Sequence, residues 1–275
     1  NIFYFVERVV VIMKQRILTS AIGVVIFFCV LFAPNVVFSA AVLLITCIAA
    51  YEIHHAVGAN QFLTVAGIVS AAVVFTGTVT DNLILSIVIT FGVYMLLSIV
   101  LFGKCKVQTI YMLGFSSVVF SVSLSTLAVI KNNFGIAGAL LPFVFAWITD
   151  TGAYFCGITM GKHKLVSHLS PKKTVEGSLG GMAACVIVSV FYNWLLLNYF
   201  DITIAARGSA AVMAVISLIA SVIAQFGDLT LSAIKREFGV KDYGNILPGH
   251  GGVLDRFDSL IFVAPFVYAA LMFLN

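Results

Sequence analysis

The sequence predicts an all-α integral membrane protein of about nine transmembrane helices, with catalytic loops on the cytoplasmic side. Three observations predict it. The chain is 61% hydrophobic with a mean hydropathy of +1.13, more apolar than a soluble domain of this length can bury. Its apolar residues fall in continuous runs of roughly 20, the length of a membrane-crossing helix, and not in the alternating pattern of a β-barrel. Its Lys and Arg residues gather on alternate inter-span segments, which sets one orientation.

The runs cover 15–33, 36–57, 61–79, 82–102, 108–130, 135–157, 178–200, 208–227 and 256–274. Terse turns separate them, among them Ala33-Pro34-Asn35, Thr80-Asp81-Asn82 and Lys131-Asn132-Asn133. With the N-terminus cytoplasmic, all 15 Lys and Arg except Lys131 and Arg207 lie inside. This bias predicts a multi-pass membrane protein, expected in the cell (inner) membrane, whose long polar loops face the cytoplasm. Residues 1–14 read as an N-terminal cytoplasmic extension. Met13-Lys14-Gln15-Arg16 resembles a natural start, so 1–12 are expected to play no part in the fold. Residues 15–130 form a sparsely charged membrane half. Residues 131–275 form a catalytic membrane half with long cytoplasmic loops at 158–177 and 228–255.

The first half offers little chemistry. Glu52, His54 and His55 sit near the inner end of the second run; a carboxylate there is costly and hints at function, and the plainer expectation is that all three snorkel to the interface. The five cysteines show no paired or ligand spacing and read as small packing residues.

Four clusters in the second half carry the chemistry. Asp150 and Tyr154 lie four apart within the sixth run, on one helix face. An intramembrane Asp faces either a cavity or a structural partner. Ser170-Pro171-Lys172-Lys173-Thr174-Val175-Glu176-Gly177 reads as a helix start, with Ser170 the N-cap and Pro171 the first helical residue. Two lysines beside free backbone N–H groups there suit phosphate, or lipid headgroups. Gly177 and Gly181 read as a close helix-packing pair. Asp228, Ser232 and Lys235 share one helical face and suit a metal together with a phosphate. In Leu247-Pro248-Gly249-His250-Gly251-Gly252-Val253-Leu254-Asp255-Arg256-Phe257-Asp258, the glycines allow close backbone approach to a ligand. Asp255 and Asp258 project from the first turn of the last helix. Carboxylates of this kind suit Mg²⁺, which takes one or two and leaves its other positions to water and substrate phosphate. Gly157 to His163 is not a phosphate-binding P-loop, because the spacing is wrong and no Ser or Thr follows Lys162. The residues alone point to Mg²⁺-dependent phosphoryl or nucleotidyl chemistry on a lipid.

The segment Ser232-x-x-Lys235-Arg236, Lys241-Asp242-x-Gly244, Leu247-Pro248-Gly249-His250-Gly251-Gly252-x-x-Asp255-Arg256-x-Asp258 resembles the hallmark motif of the phosphatidate cytidylyltransferases. Ser170 to Gly177 is similar to that family as well. The resemblance implies transfer of CMP from CTP to phosphatidic acid, giving CDP-diacylglycerol and pyrophosphate. Under it, Asp228 and Asp255 hold Mg²⁺, with room for a second, monovalent cation. Lys172, Lys173, Lys235, Arg236 and Lys241 neutralise phosphates, and Ser170, Thr174 and Ser232 add hydroxyl contacts. His250, Gly251 and Gly252 shape the pocket, Asp258 steadies Arg256 or backs the metal, and Asp150 and Tyr154 line the cavity. The partners implied are CTP, phosphatidic acid, membrane lipid and a second copy in a homodimer, with no nucleic acid. Two readings compete: a CTP-dependent lipid kinase, which would release CDP, and an ion-coupled transporter using Asp150, Asp228 and Asp255 as a relay.

Overall fold

The computed structural model describes residues 18–167, 169–200, 202, 204, 209–246 and 251–275. Eight helices and one small hairpin run through them. They are α1 (Leu18–Phe32), α2 (Asn35–Ala56), α3 (Gln61–Val79), α4 (Leu83–Val100), α5 (Val107–Met160), β1 (Lys164–Val166), β2 (Ser170–Thr174), α6 (Val175–Tyr199), α7 (Ala210–Glu237) and α8 (Leu254–Leu274). Seven of these, α2 to α8, are long and apolar enough to cross a membrane. Many of their large apolar side chains point outward, such as Ile84 and Ile99 of α4 at 80% and 72% exposure. Outward apolar surface on this scale fits lipid as the surrounding solvent.

The fifth and sixth apolar runs form one element. At 54 residues, α5 is far longer than a bilayer needs. Gly135 breaks it, with φ 67° and ψ −166°, a conformation open essentially to glycine alone. Lys131, one turn earlier, is buried. Its Nζ donates to the Ala33 carbonyl at 2.6 Å and lies 4.5 Å from the centre of the Phe38 ring. The bend in α5 is thereby tied to the α1–α2 turn.

Helix α5 is the hub, packing on α2, α3, α4, α6, α7 and α8. Its contact with α6 is close because both faces are small. A Cβ at Gly181 would come within 2.6 Å of the Thr149 carbonyl oxygen, and one at Gly177 within 2.7 Å of that of Ala153. The Gly177/Gly181 pair is a packing device, as its spacing suggests. One hydrophobic core runs from Leu31 through α2, α5 and α7 to Leu274, so both halves share it.

Two local expectations are corrected. Ser170 does not start a helix: Ser170 to Thr174 is strand β2, antiparallel to β1. The cap is Thr174, whose Oγ1 accepts from Gly177 N at 3.1 Å. Thr174 prevails because the extended lysine segment gains a partner strand. The loop expected at 228–255 is also shorter, since α7 continues in helix to Glu237.

Candidate active site

The hairpin β1–β2 is held at its base by Glu176, in the first turn of α6. The Glu176 carboxylate accepts from Lys162 N at 3.0 Å, from His163 N at 3.2 Å and from His163 Nδ1 at 2.6 Å. This places Lys172 and Lys173 over a cavity of about 570 Å³. Lys164, Lys172 and Lys173 line it, together with Asp150 and Tyr154 of α5 and Gln225 and Asp228 of α7. The expectation that Asp150 and Tyr154 share a face is met, and both face this cavity.

Asp228 lies between two partners. Lys173 forms an ion pair with it across the cavity, and Ser232 Oγ donates to its Oδ1 at 3.3 Å. One turn back along α7, Gln225 and Ser178 hydrogen-bond each other, tying α7 to α6 beside the cavity. Asp150 accepts from Ser259 Oγ of α8 at 3.3 Å. Asp258 lies within electrostatic reach of Asp228, Asp150 and Lys235. Asp150 of α5 and Asp228 of α7 therefore share the cavity wall, with Asp258 of α8 close enough to be felt by both. Among the described residues, no three acidic, His or Cys side chains stand close enough to hold a metal by themselves.

Asp255 points elsewhere. Its Oδ1 accepts from Lys235 Nζ at 2.7 Å, and its Oδ2 from Tyr243 N at 2.8 Å and Gly252 N at 3.0 Å. Its side chain is 6% exposed and that of Lys235 10%. Both oxygens are engaged in holding Tyr243, Gly252 and Lys235 together. Asp255 and Asp258 are three residues apart, yet the first binds Lys235 and loop amides, while the second accepts from Ser259 N at 2.7 Å.

Glu52 does not snorkel, and its exposure is 1%. Its Oε1 accepts from Val253 N at 2.9 Å and its Oε2 from Leu254 N at 2.7 Å. Burial is tolerated because the carboxylate satisfies the free amides and positive end of α8. His54 is buried too, its Nδ1 2.6 Å from the Ala50 carbonyl oxygen, whereas His55 is exposed. Gly244 and Gly252 make room for Glu52. A Cβ at Gly252 would sit 2.6 Å from its Oε2.

The remaining expected residues are spread around this centre. Ser170 is half-buried on β2, and Thr174 serves as the α6 cap while lining the cavity. Arg236, Lys241 and Arg256 are exposed, with Arg236 Nη1 donating to the Val240 carbonyl at 3.4 Å. Gly251 has φ 82° and lies beside Asp255 and Asp242. His250 lies outside the described residues. Sequence reasoning noted Glu52 but favoured the interface for it, and gave Gln225, Ser178 and Ser259 no role. The one available signal was a carboxylate inside an otherwise apolar α2.

Known proteins give this arrangement a context. A model of the "Cytidylyltransferase family" matches residues 14–274. The chain is similar to the phosphatidate cytidylyltransferase of Staphylococcus saprophyticus, 35% identical over 269 residues, covering 92% of this chain and 96% of that protein. It is also similar to the phosphatidate cytidylyltransferase of Staphylococcus haemolyticus, 46% identical over 131 residues, covering 48% of this chain and 47% of that protein. The protein of the same name from Staphylococcus aureus (strain COL) is 47% identical over the same length and shares.

Proposed function

The chain belongs to the cytidylyltransferase family, and from that premise we propose how its cavity serves the reaction. It is a membrane nucleotidyltransferase of phospholipid biosynthesis, a phosphatidate cytidylyltransferase, converting CTP and phosphatidate into CDP-diacylglycerol and pyrophosphate. The supporting observation is the cavity wall, with Lys172 and Lys173 facing Asp150 and Asp228. A polyanionic nucleotide and a phosphate-bearing lipid both need such cations, and a metal partner needs such carboxylates.

In our reading, an oxygen of the phosphatidate phosphate attacks the α-phosphorus of CTP. The new P–O bond forms as the bond to the bridging oxygen breaks, and pyrophosphate leaves with that electron pair. No general base is required, because the lipid phosphate is already anionic at neutral pH. Lys172 and Lys173 hold phosphate charge from the hairpin. Arg236, Lys241 and Arg256 draw the anionic substrates to the mouth.

The residues fit a divalent cation at Asp228, a single hard carboxylate beside the cavity, since Mg²⁺ takes one or two carboxylates and leaves its other positions to water and substrate phosphate. Bound there, Mg²⁺ would neutralise the charge of the leaving pyrophosphate. Lys173, which pairs with Asp228 in this structure, would then be free to hold substrate phosphate. Asp255, expected as the second ligand, would have to release Lys235 to reach a metal, so we assign it to holding the loop.

We further read nine crossings, counting α1 and the two limbs of α5. The active site faces the cytoplasm of the inner membrane and the protein works as a homodimer. The distribution of Lys and Arg supports the orientation. The meeting of Lys131 with Ala33 supports the crossing count, because it brings the α1–α2 turn and the bend in α5 to one side.

The test is turnover of purified protein in detergent with phosphatidate and α-labelled CTP, with and without Mg²⁺. Label in the lipid and pyrophosphate released only with Mg²⁺ is the expected result. CDP without lipid label would overturn the reading in favour of a lipid kinase.

A further inference from the structure

We propose that Glu52 is a positioning residue for the active site, by which the N-terminal membrane half aims the first turn of α8. The inference rests on the reading that the acidic wall and Lys235 serve cytidylyl transfer. Four observations carry it. Glu52 reaches across about two hundred residues of chain to accept from Val253 N and Leu254 N at 2.9 and 2.7 Å. It is 1% exposed. The two glycines beside it leave no other room: a Cβ at Gly244 would lie 2.9 Å from Glu52 Cδ, and one at Gly252 2.6 Å from Oε2. Asp255 takes the preceding amide, that of Gly252, at 3.0 Å.

The physical consequence follows from these contacts. Three successive amides leading into α8, those of Gly252, Val253 and Leu254, are occupied by two side-chain carboxylates. These amides are satisfied within the fold and do not cradle substrate phosphate. Their role is to fix a direction. The grip on residues 252–254 sets the azimuth of α8, so that Asp255 meets Lys235 while Asp258, about one turn on, stays within electrostatic reach of Asp228 and Asp150. A rotation of α8 would move both carboxylates together. Gly244 and Gly252 thus serve close packing on Glu52, a different task from ligand contact.

The experiment compares wild type with Glu52→Gln, Glu52→Asp, Gly244→Ala and the double variant Glu52→Asp/Gly244→Ala. Each is measured for kcat, KM for CTP, KM for phosphatidate and thermal melting in the same detergent. Glu52→Gln keeps size but turns an NH₂ group toward a backbone donor, so one amide loses its acceptor. Its kcat per folded molecule should fall about tenfold or more, with each KM changed by less than about threefold. Gly244→Ala should lower kcat by pressing on the Glu52 carboxyl. In the double variant the shorter acid withdraws from the new methyl group, so the loss should be smaller than the product of the single losses.

Wild-type kcat per folded molecule in Glu52→Gln would overturn the inference. If Glu52→Gln fails to fold, the other three variants decide, and independent, multiplying effects would overturn it. Activity losses that merely follow the folded fraction would also overturn it. If the wild type makes no CDP-diacylglycerol, the reading of the reaction fails, which is a distinct result.

Discussion

Lys235 and Asp255, twenty residues apart, close an ion pair at 2.7 Å between the end of α7 and the first turn of α8. The pair is nearly dry, with side-chain exposures of 10% and 6%. Two backbone amides complete the Asp255 carboxylate, and the Lys235 ammonium also lies 5.3 Å from the centre of the Tyr243 ring. The pair thus pins the loop of the motif as well as joining two helices.

Asp255→Asn should therefore cost stability as well as turnover. Removing one partner of a buried pair leaves an uncompensated charge and costs about 3–5 kcal/mol. Melting in detergent should fall clearly and activity should be lost. An unchanged melting temperature would show that the pair does not hold the loop.

Asp228→Asn should behave in the opposite way. Its pair with Lys173 is more open, with side-chain exposures of 23% and 27%, so little stability is at stake. Turnover should fall about a hundredfold or more, and the Mg²⁺ concentration for half-maximal rate should rise. A wild-type Mg²⁺ titration curve in this variant would exclude Asp228 as the metal's carboxylate.

Lys173→Ala should raise KM for CTP, for phosphatidate or for both. A charge-assisted hydrogen bond contributes about 1.5–3 kcal/mol, so roughly a tenfold change or more is expected. An unchanged KM for both substrates would remove Lys173 from the binding site.

Glu176→Gln should loosen the hairpin without unfolding the bundle. The carboxylate holds the 162–163 backbone and the His163 ring, and these contacts lie at the base of β1–β2. Hydrogen exchange of residues 163–174 should quicken while the melting temperature stays close to wild type. Unchanged exchange would mean that the strand pairing alone holds the hairpin.

Gly181→Leu should destabilise the protein severely, because a Cβ there already comes within 2.6 Å of the Thr149 carbonyl oxygen and α5 would have to move. Gly23→Ala is the contrast. Nothing lies within 4 Å of its added methyl group, so the melting temperature should hold or rise. Equal effects at the two glycines would refute the close α5–α6 contact.

Much of the site was legible in the chain because it depends on local spacing. Asp228, Ser232 and Lys235 fall on one face of any helix, and Asp150 and Tyr154 on another, whatever packs against them. The helix start at Thr174 was not legible. Ser170 and Thr174 both satisfy capping chemistry, and the choice depends on a partner strand at 164–166. Nor was the split between Asp255 and Asp258, since spacing groups them and only the neighbours of α8 separate them.

The sequence by itself determined that the chain forms apolar helices, where their charged turns fall, and which polar residues cluster near one end. These are consequences of composition and short-range periodicity. The tertiary structure alone decided that Glu52 caps α8, that Lys235 belongs to Asp255, and that Asp228 meets Lys173. Each of these joins groups distant in sequence. Burial makes them necessary, because a carboxylate or ammonium removed from water must find its partner wherever the fold brings one.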